Sequence, residues 1–281
     1  TFFNMFSAIL QMSRLGNACI AIATLAAGYF LCQANFSWCS FLADTIAFTF
    51  AISFGNIHND FLDIETDKLN RPNRPLPAGK ISIRSVKISI FILIFLTLLL
   101  AFLPNVQSLI HLSFFSFLLF ILFVYNRFAK RVPLLKNLTV AFLCITPLLR
   151  AMLLDSSQIF PLIPPILFAF LYTLSREIQK DLEDISGDKA ANILTLPIAT
   201  SESLATKLAG FQILLAWFLL PLPVLLKWYH STFLFAVLPM TPLSIWILLS
   251  LHKKNYSSAQ KITKIIMICG LLSLILSQVI Y

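Results

Sequence analysis

Charge is the scarcest thing in this chain. Only 12% of its 281 residues are Asp, Glu, Lys or Arg, about half the share usual in soluble domains. With 58% of the residues hydrophobic, that shortage argues against a soluble enzyme and for a chain embedded in lipid. Metal-like cysteine spacing is also lacking. Cys19, Cys32, Cys39, Cys144 and Cys269 lie mostly in or beside apolar runs and read as small core residues rather than disulfides or ligands. No cleavable leader is expected, because the first long apolar run has no short core followed by a small-residue cleavage site. The net charge of +9 does not call for nucleic acid, since the basic residues sit in loops where membrane topology accounts for them.

What is abundant is apolar sequence in lengths of roughly 17–25 residues, enough to span a bilayer. Nine such runs occur, at about 14–33, 38–57, 85–103, 107–126, 134–154, 158–176, 204–226, 231–250 and 262–280. An all-α, multi-pass membrane protein in the cell membrane is expected, with 1–281 as a single domain. Loops after even-numbered spans hold Lys68, Arg71, Arg74, Lys80 and Arg84, then Arg127, Lys130, Arg131 and Lys136, then Lys180 and Lys189, then Lys253, Lys254 and Lys261. The opposite loops hold little beyond Asp155 and Lys227. The positive-inside rule places the basic loops in the cytoplasm.

Of the twelve acidic residues, nine fall in two clusters about 120 residues apart: Asp60, Asp63, Glu65 and Asp67, then Glu177, Asp181, Glu183, Asp184 and Asp188. Each ends a span on the cytoplasmic side. If the helix of the second span continues, Asn56, Asn59, Asp60, Asp63 and Asp67 fall within about 100° of one another. Glu177, Asp181, Asp184 and Asp188 fall within about 60° in the second cluster. A solvated acidic helix end is the bland explanation of one such face. Two of them, at equivalent topological positions, favour a site for hard divalent cations, with Mg²⁺ leaving positions open for phosphate oxygens. The loop Lys68 to Lys80 adds guanidinium groups stiffened by prolines, and Arg71 and Arg74 have the planar fork that suits phosphate.

The pattern Asn59-Asp60-x-x-Asp63-x-x-x-Asp67 resembles the first aspartate-rich motif of the UbiA superfamily of intramembrane prenyltransferases, and Glu177 to Asp188 resembles the second. The segments Asp67 to Pro77, Tyr125 to Arg131 and Arg176 to Asp188 are together similar to its digeranylgeranylglyceryl phosphate synthase branch. One departure is Arg14-Leu15-Gly16-Asn17, where that branch usually has Pro after the Arg. The resemblance implies about nine transmembrane helices around a central cavity with a cytoplasmic cap. It implies Mg²⁺-dependent transfer of a prenyl group, geranylgeranyl in this branch, from its diphosphate to the hydroxyl of a prenylglyceryl phosphate. Mg²⁺ would be held by Asn59, Asp60, Asp63 and Asp67 with Glu177, Asp181, Asp184 and Asp188. Arg14, Asn17, Asn56, Arg71, Arg74, Arg176 and Lys180 would bind substrate, and Tyr125 and Lys130 would lie in the active cavity.

Two other functions compete. An aromatic acceptor of the 4-hydroxybenzoate type, as in quinone biosynthesis, would use the same donor site. A lipid or phosphate transporter would use Mg²⁺ only to hold phosphate, although transporter carboxylates usually lie at mid-span. No obligatory protein partner is expected, and the partners are a prenyl diphosphate, a lipid-like acceptor and membrane lipid. His58 and His111 have no partner that the sequence names, and ordinary packing or interface roles are expected for them; for Arg150 a structural pairing with Asp155 near the outer face is expected.

Overall fold

The computed structural model describes residues 2–32, 37–102, 108–154 and 159–279, among which no strand occurs. The first part of the chain forms α1 (Phe2–Ser13), α2 (Leu15–Cys32), α3 (Trp38–Leu62), α4 (Ile64–Asn70), α5 (Ile83–Ala101) and α6 (Ser108–Arg127). A 3₁₀ turn, Ala129–Arg131, leads to α7 (Leu135–Met152), α8 (Ile159–Glu183), α9 (Ile185–Ala190), α10 (Leu196–Ala199) and α11 (Glu202–Leu219). The chain closes with α12 (Leu222–Leu225), α13 (Thr232–Val237), α14 (Met240–His252) and α15 (Tyr256–Val279).

Among the described residues eight helical stretches are long and apolar enough to cross a bilayer. They match the first eight expected spans in order. The ninth, expected over 262–280, falls in α15, its last position lying outside the described residues. The chain is an all-α, multi-pass membrane protein. Helices α3, α5 and α11 each start at a serine whose side chain covers one of the first unpaired amides. Ser82 Oγ accepts from Ser85 N at 3.0 Å, and Ser201 Oγ from Leu204 N at 3.1 Å. Phe91, Phe95 and Leu99 on α5, with Phe102 at its C-cap, form one exposed stripe at helical spacing, which suits lipid and not water.

The described residues fall into two compact units, one from Thr1–Ala26 and Asn35–Phe128, the other from Ala27–Ala34 and Ala129–Tyr281. In the first, α3 packs against α1, α5 and α6. Phe48 meets Phe115 edge-on at 5.2 Å. Gly55 lets α6 approach closely, since a Cβ there would lie 2.9 Å from Leu122 Cδ2. His58 has the packing role expected of it, stacked between Phe54 and Phe123 with both ring pairs 5.4 Å apart. Asn126 Nδ2 donates to Gly55 O at 2.8 Å and lies 3.3 Å from His58 Nδ1. His111, which the sequence left without a partner, lies 3.5 Å from the buried Asp44.

The loop after α4 folds into consecutive turns. Arg74 N bonds Arg71 O and Ala78 N bonds Arg74 O, while Gly79 takes a left-handed φ of 70°. Leu76 and Ile81 then bury beside Ala8, Met12, Ile57 and Val86. This apolar anchor turns the loop back towards the end of α3.

In the second unit α8 is central, packed against α7, α11 and α15. Three fully buried polar residues fasten it. Ser175 Oγ donates to Ala209 O at 2.8 Å, Gln179 Nε2 donates to Ser175 Oγ at 3.0 Å, and Thr263 Oγ1 donates to Gln179 Oε1 at 3.1 Å. Arg150 is buried at 1% exposure, and Asp155, its expected partner, lies outside the described residues.

Gly28 supplies the tightest helix contact, since a Cβ there would sit 2.7 Å from Ala151 Cβ. That neighbour cannot rotate away, so Gly28→Ala should cost about 1–3 kcal/mol by overpacking. Thermal unfolding in detergent should show a lowered midpoint for Gly28→Ala and recovery in Gly28→Ala/Ala151→Gly. No recovery would mean that the strain lies elsewhere.

Candidate active site

Both acidic clusters sit where a 25-residue helix stops and a short one begins. α3 ends at Leu62, α4 starts at Ile64, and Asp63 stands between them at φ −96°, ψ 10°. α8 ends at Glu183, α9 starts at Ile185, and Asp184 stands between them at φ −96°, ψ 9°. The uninterrupted helix assumed from sequence is therefore corrected in both clusters. The two aspartates occupy the sparsely populated bridge region, where many active-site residues lie. Backbone turning persists across each break, with Asp67 N on Asp63 O at 2.7 Å and Asp188 N on Asp184 O at 2.8 Å.

In the first unit Asp60 is 4% and Asp67 6% exposed. Arg14 Nη2 donates to Asp60 Oδ1 at 2.5 Å. Arg74 Nη1 donates to Asp60 Oδ1 at 3.1 Å and to Asp67 Oδ2 at 2.6 Å. One guanidinium thus joins aspartates on α3 and α4. Arg14 reaches Asp60 from a left-handed joint between α1 and α2, at φ 50°. Asn56 Nδ2 fastens that joint by donating to Ser13 O at 3.0 Å. Asn59 and Asp63 are half-buried, and Asn17 and Arg71 are exposed.

In the second unit Asp181 is 5% exposed. Lys136 Nζ donates to its Oδ1 at 2.6 Å and Asn137 Nδ2 to its Oδ2 at 2.9 Å. Glu177 accepts from Arg176 Nη1 at 3.1 Å and from Lys180 Nζ at 2.9 Å. Asp184 is exposed and Asp188 half-buried. Burial holds the Asp188 carboxyl above the usual carboxylate range, Asp181 and Asp184 push the same way, and Lys136 opposes them. Tyr125 lies half-buried in the last turn of α6, and Lys130 lies half-buried in the 3₁₀ turn.

The structure thus brings Arg14, Asp60, Asp67 and Arg74 together in one unit, and Lys136, Asn137 and Asp181 in the other. Arg74, Arg176 and Lys180, expected to meet substrate, are bonded to carboxylates of the chain itself. Asn56 is likewise engaged by backbone. Sequence reading offered Lys136, with Arg176 and Lys180, as a cation for an acceptor phosphate and not as a partner of Asp181, and it passed over Asn137, because neither lies within a helix turn of Asp181.

Among the described residues no three of His, Cys, Asp or Glu converge as a finished metal cage. The donor chemistry still fits Mg²⁺, because every candidate ligand is a hard oxygen. Asn137 Oδ1 adds a further one, buried and without a hydrogen-bond partner. Cationic side chains of the protein stand beside the carboxylates that a divalent ion would use. The residues able to hold it are Asn59, Asp60, Asp63 and Asp67 in one unit, and Glu177, Asp181, Asp184, Asp188 and Asn137 in the other.

Comparisons with known proteins agree over nearly the whole chain. The digeranylgeranylglyceryl phosphate synthase of Methanococcus aeolicus is 32% identical over 276 residues, covering 96% of each chain. That of Methanopyrus kandleri is 32% identical over 273 residues, covering 96% of this chain and 98% of its own. A solved structure concerned with digeranylgeranylglyceryl phosphate synthase in membranes superposes with a TM-score of 0.83 at 27% identity, covering 99% of both chains. A UbiA homologue from Archaeoglobus fulgidus bound to DMAPP and Mg²⁺ has the same fold, with a TM-score of 0.63 at 17% identity over 95% of this chain and 98% of that one. The model of the UbiA prenyltransferase family matches residues 21–275, and the chain belongs to that family.

Proposed function

We propose that the chain, working over 1–281 as one enzyme, transfers a geranylgeranyl group from its diphosphate to the free hydroxyl of geranylgeranylglyceryl phosphate. The observation that carries this reading is the likeness, across 96% of both chains, to a protein named for that product. The oxygen-rich clusters around Asp63 and Asp184 support it, because a diphosphate leaving group needs dense positive charge close by. Mg²⁺, when bound, supplies that charge.

The chain's own part is to hold and exclude. Carboxylates of each cluster would hold Mg²⁺, and both clusters are required for the transfer. Arg71, exposed in the rigid loop, and Lys130 bind phosphate oxygens. The donor C–O bond breaks with its electron pair going to diphosphate, and the acceptor oxygen takes the allylic carbon as its hydroxyl proton passes to the released diphosphate. Water must be kept away from that carbon, which the apolar lining of a membrane bundle achieves. The positive charge of the basic loops supports a site facing the cytoplasm from the cell membrane.

Purified protein with geranylgeranyl diphosphate and Mg²⁺ should release diphosphate with geranylgeranylglyceryl phosphate and not with 4-hydroxybenzoate. Turnover with the aromatic acid alone would transfer the chain to the quinone branch, and none with either would remove the reading. Asp63→Ala and Asp181→Ala should each lower kcat at least about 100-fold while the protein stays folded.

The two loop arginines should separate. Arg71→Ala should raise the KM for the donor about tenfold, as loss of one charged hydrogen bond does. Arg74→Ala strands Asp67 and should lower folded stability by about 2–3 kcal/mol. Steady-state kinetics and thermal unfolding of both variants check this, and an unaltered midpoint in Arg74→Ala would contradict it.

A further inference from the structure

We propose that Asp181 is a cation-exchange position. Lys136 neutralises it in the metal-free protein, and a divalent ion displaces the ammonium, which then becomes available to phosphate. The inference deepens the proposed function and rests on its metal-binding reading.

Asp181 is almost wholly buried, so its charge needs a counter-ion in every state of the protein. Lys136 supplies one at 2.6 Å, and its side chain keeps 22% exposure, so the ammonium has a way out. A lysine is a compact point charge on a flexible stem and lacks the fixed fork of arginine.

Asn137 makes exchange feasible. Asp181 is acceptor-only, so the amide face turned to it must be the Nδ2 that donates at 2.9 Å. This bond holds the carboxylate in place when Lys136 leaves. It also fixes the orientation of Oδ1, which is buried with no donor in contact. A buried orphan oxygen costs about 1–3 kcal/mol, and here it is an acceptor beside an ionised carboxylate. Only a cation or a donor satisfies it, and a cation that also balances Asp181 relieves both. Lys136 and Asn137 are adjacent at the start of α7, so one backbone segment carries both the placeholder and the clamp.

The consequence is an order of binding. Until the ion has taken Asp181, Lys136 is held on the carboxylate; afterwards it faces the same oxygens as a phosphate bound to that ion. Lys136 is then a positioning residue that links metal occupancy to diphosphate affinity.

The test needs no turnover. The full chain in nanodiscs of neutral lipid, stripped of divalent ions, is titrated with Mn²⁺ by electron paramagnetic resonance, and separately with inorganic pyrophosphate in excess Mg²⁺. Lys136→Met and Lys136→Gln should bind Mn²⁺ about tenfold more tightly than the parent chain, and Lys136→Arg within about twofold of it. The Met variant should bind pyrophosphate about tenfold more weakly. Lys136→Gln keeps a hydrogen-bond donor towards Asp181, so a folded neutral variant is at hand if the Met variant fails. The pair Lys136→Met/Asp181→Asn, with both charges gone, should lose the gain in Mn²⁺ affinity. Unchanged or weaker Mn²⁺ binding in the neutral variants overturns the exchange, and unchanged pyrophosphate binding overturns the hand-over to phosphate. Exchange seen in a chain that prenylates no acceptor leaves this inference standing and removes the proposed function. Prenyl transfer with no change in Mn²⁺ affinity does the reverse.

Discussion

A carboxylate at the end of an apolar helix cannot be left uncompensated. Water that would solvate it is scarce, and a lone buried charge costs several kcal/mol even after relaxation. Much of the arrangement of this protein follows from that constraint. Asp60 and Asp67 share Arg74, and Asp60 has Arg14 as well. Asp181 has Lys136, and Glu177 has Arg176 and Lys180. The loop that delivers Arg74 is anchored by Leu76 and Ile81, so apolar burial at one end fixes electrostatics at the other. The acidic charge of these helix ends therefore also organises the backbone around it.

The two units solve this problem in parallel. Asp60-x-x-Asp63-x-x-x-Asp67 and Asp181-x-x-Asp184-x-x-x-Asp188 are the same pattern in the same phase of a long helix, a break and a short helix. Each follows an 18-residue helix, α2 or α7, that starts just after a residue with left-handed φ, Arg14 or Leu134. Each is followed by a serine-capped helix, α5 or α11. This repetition is far clearer in backbone geometry than in residue identity. Reuse of a helical unit is a familiar route to membrane-embedded binding sites.

Much of this was legible in the sequence. The order of the first eight spans came through because lipid imposes length and apolarity on each helix separately. The two acidic clusters stood out because charge is so rare elsewhere. Other features were out of reach because they depend on contacts distant in sequence. Nothing in the sequence near Asp181 indicates that Lys136, 45 residues earlier, lies against it. Asn126 reaches Gly55 and His58 across about 70 residues. The breaks at Asp63 and Asp184 were missed for a different reason. A helical wheel assumes one continuous helix, and a single residue in the bridge region resets the phase without changing the composition.

The parallel units part company at their short helices. α4 carries Asp67, buried and tied through Arg74 to the body of its unit. α9 has the matching Asp188 but buries none of its residues. Local opening is governed by how many buried contacts must be given up. α9 can therefore unwind and rewind while α8 stays whole, whereas α4 must break an ion pair to do so. Amide hydrogens of α9 should then exchange with solvent faster than those of α4.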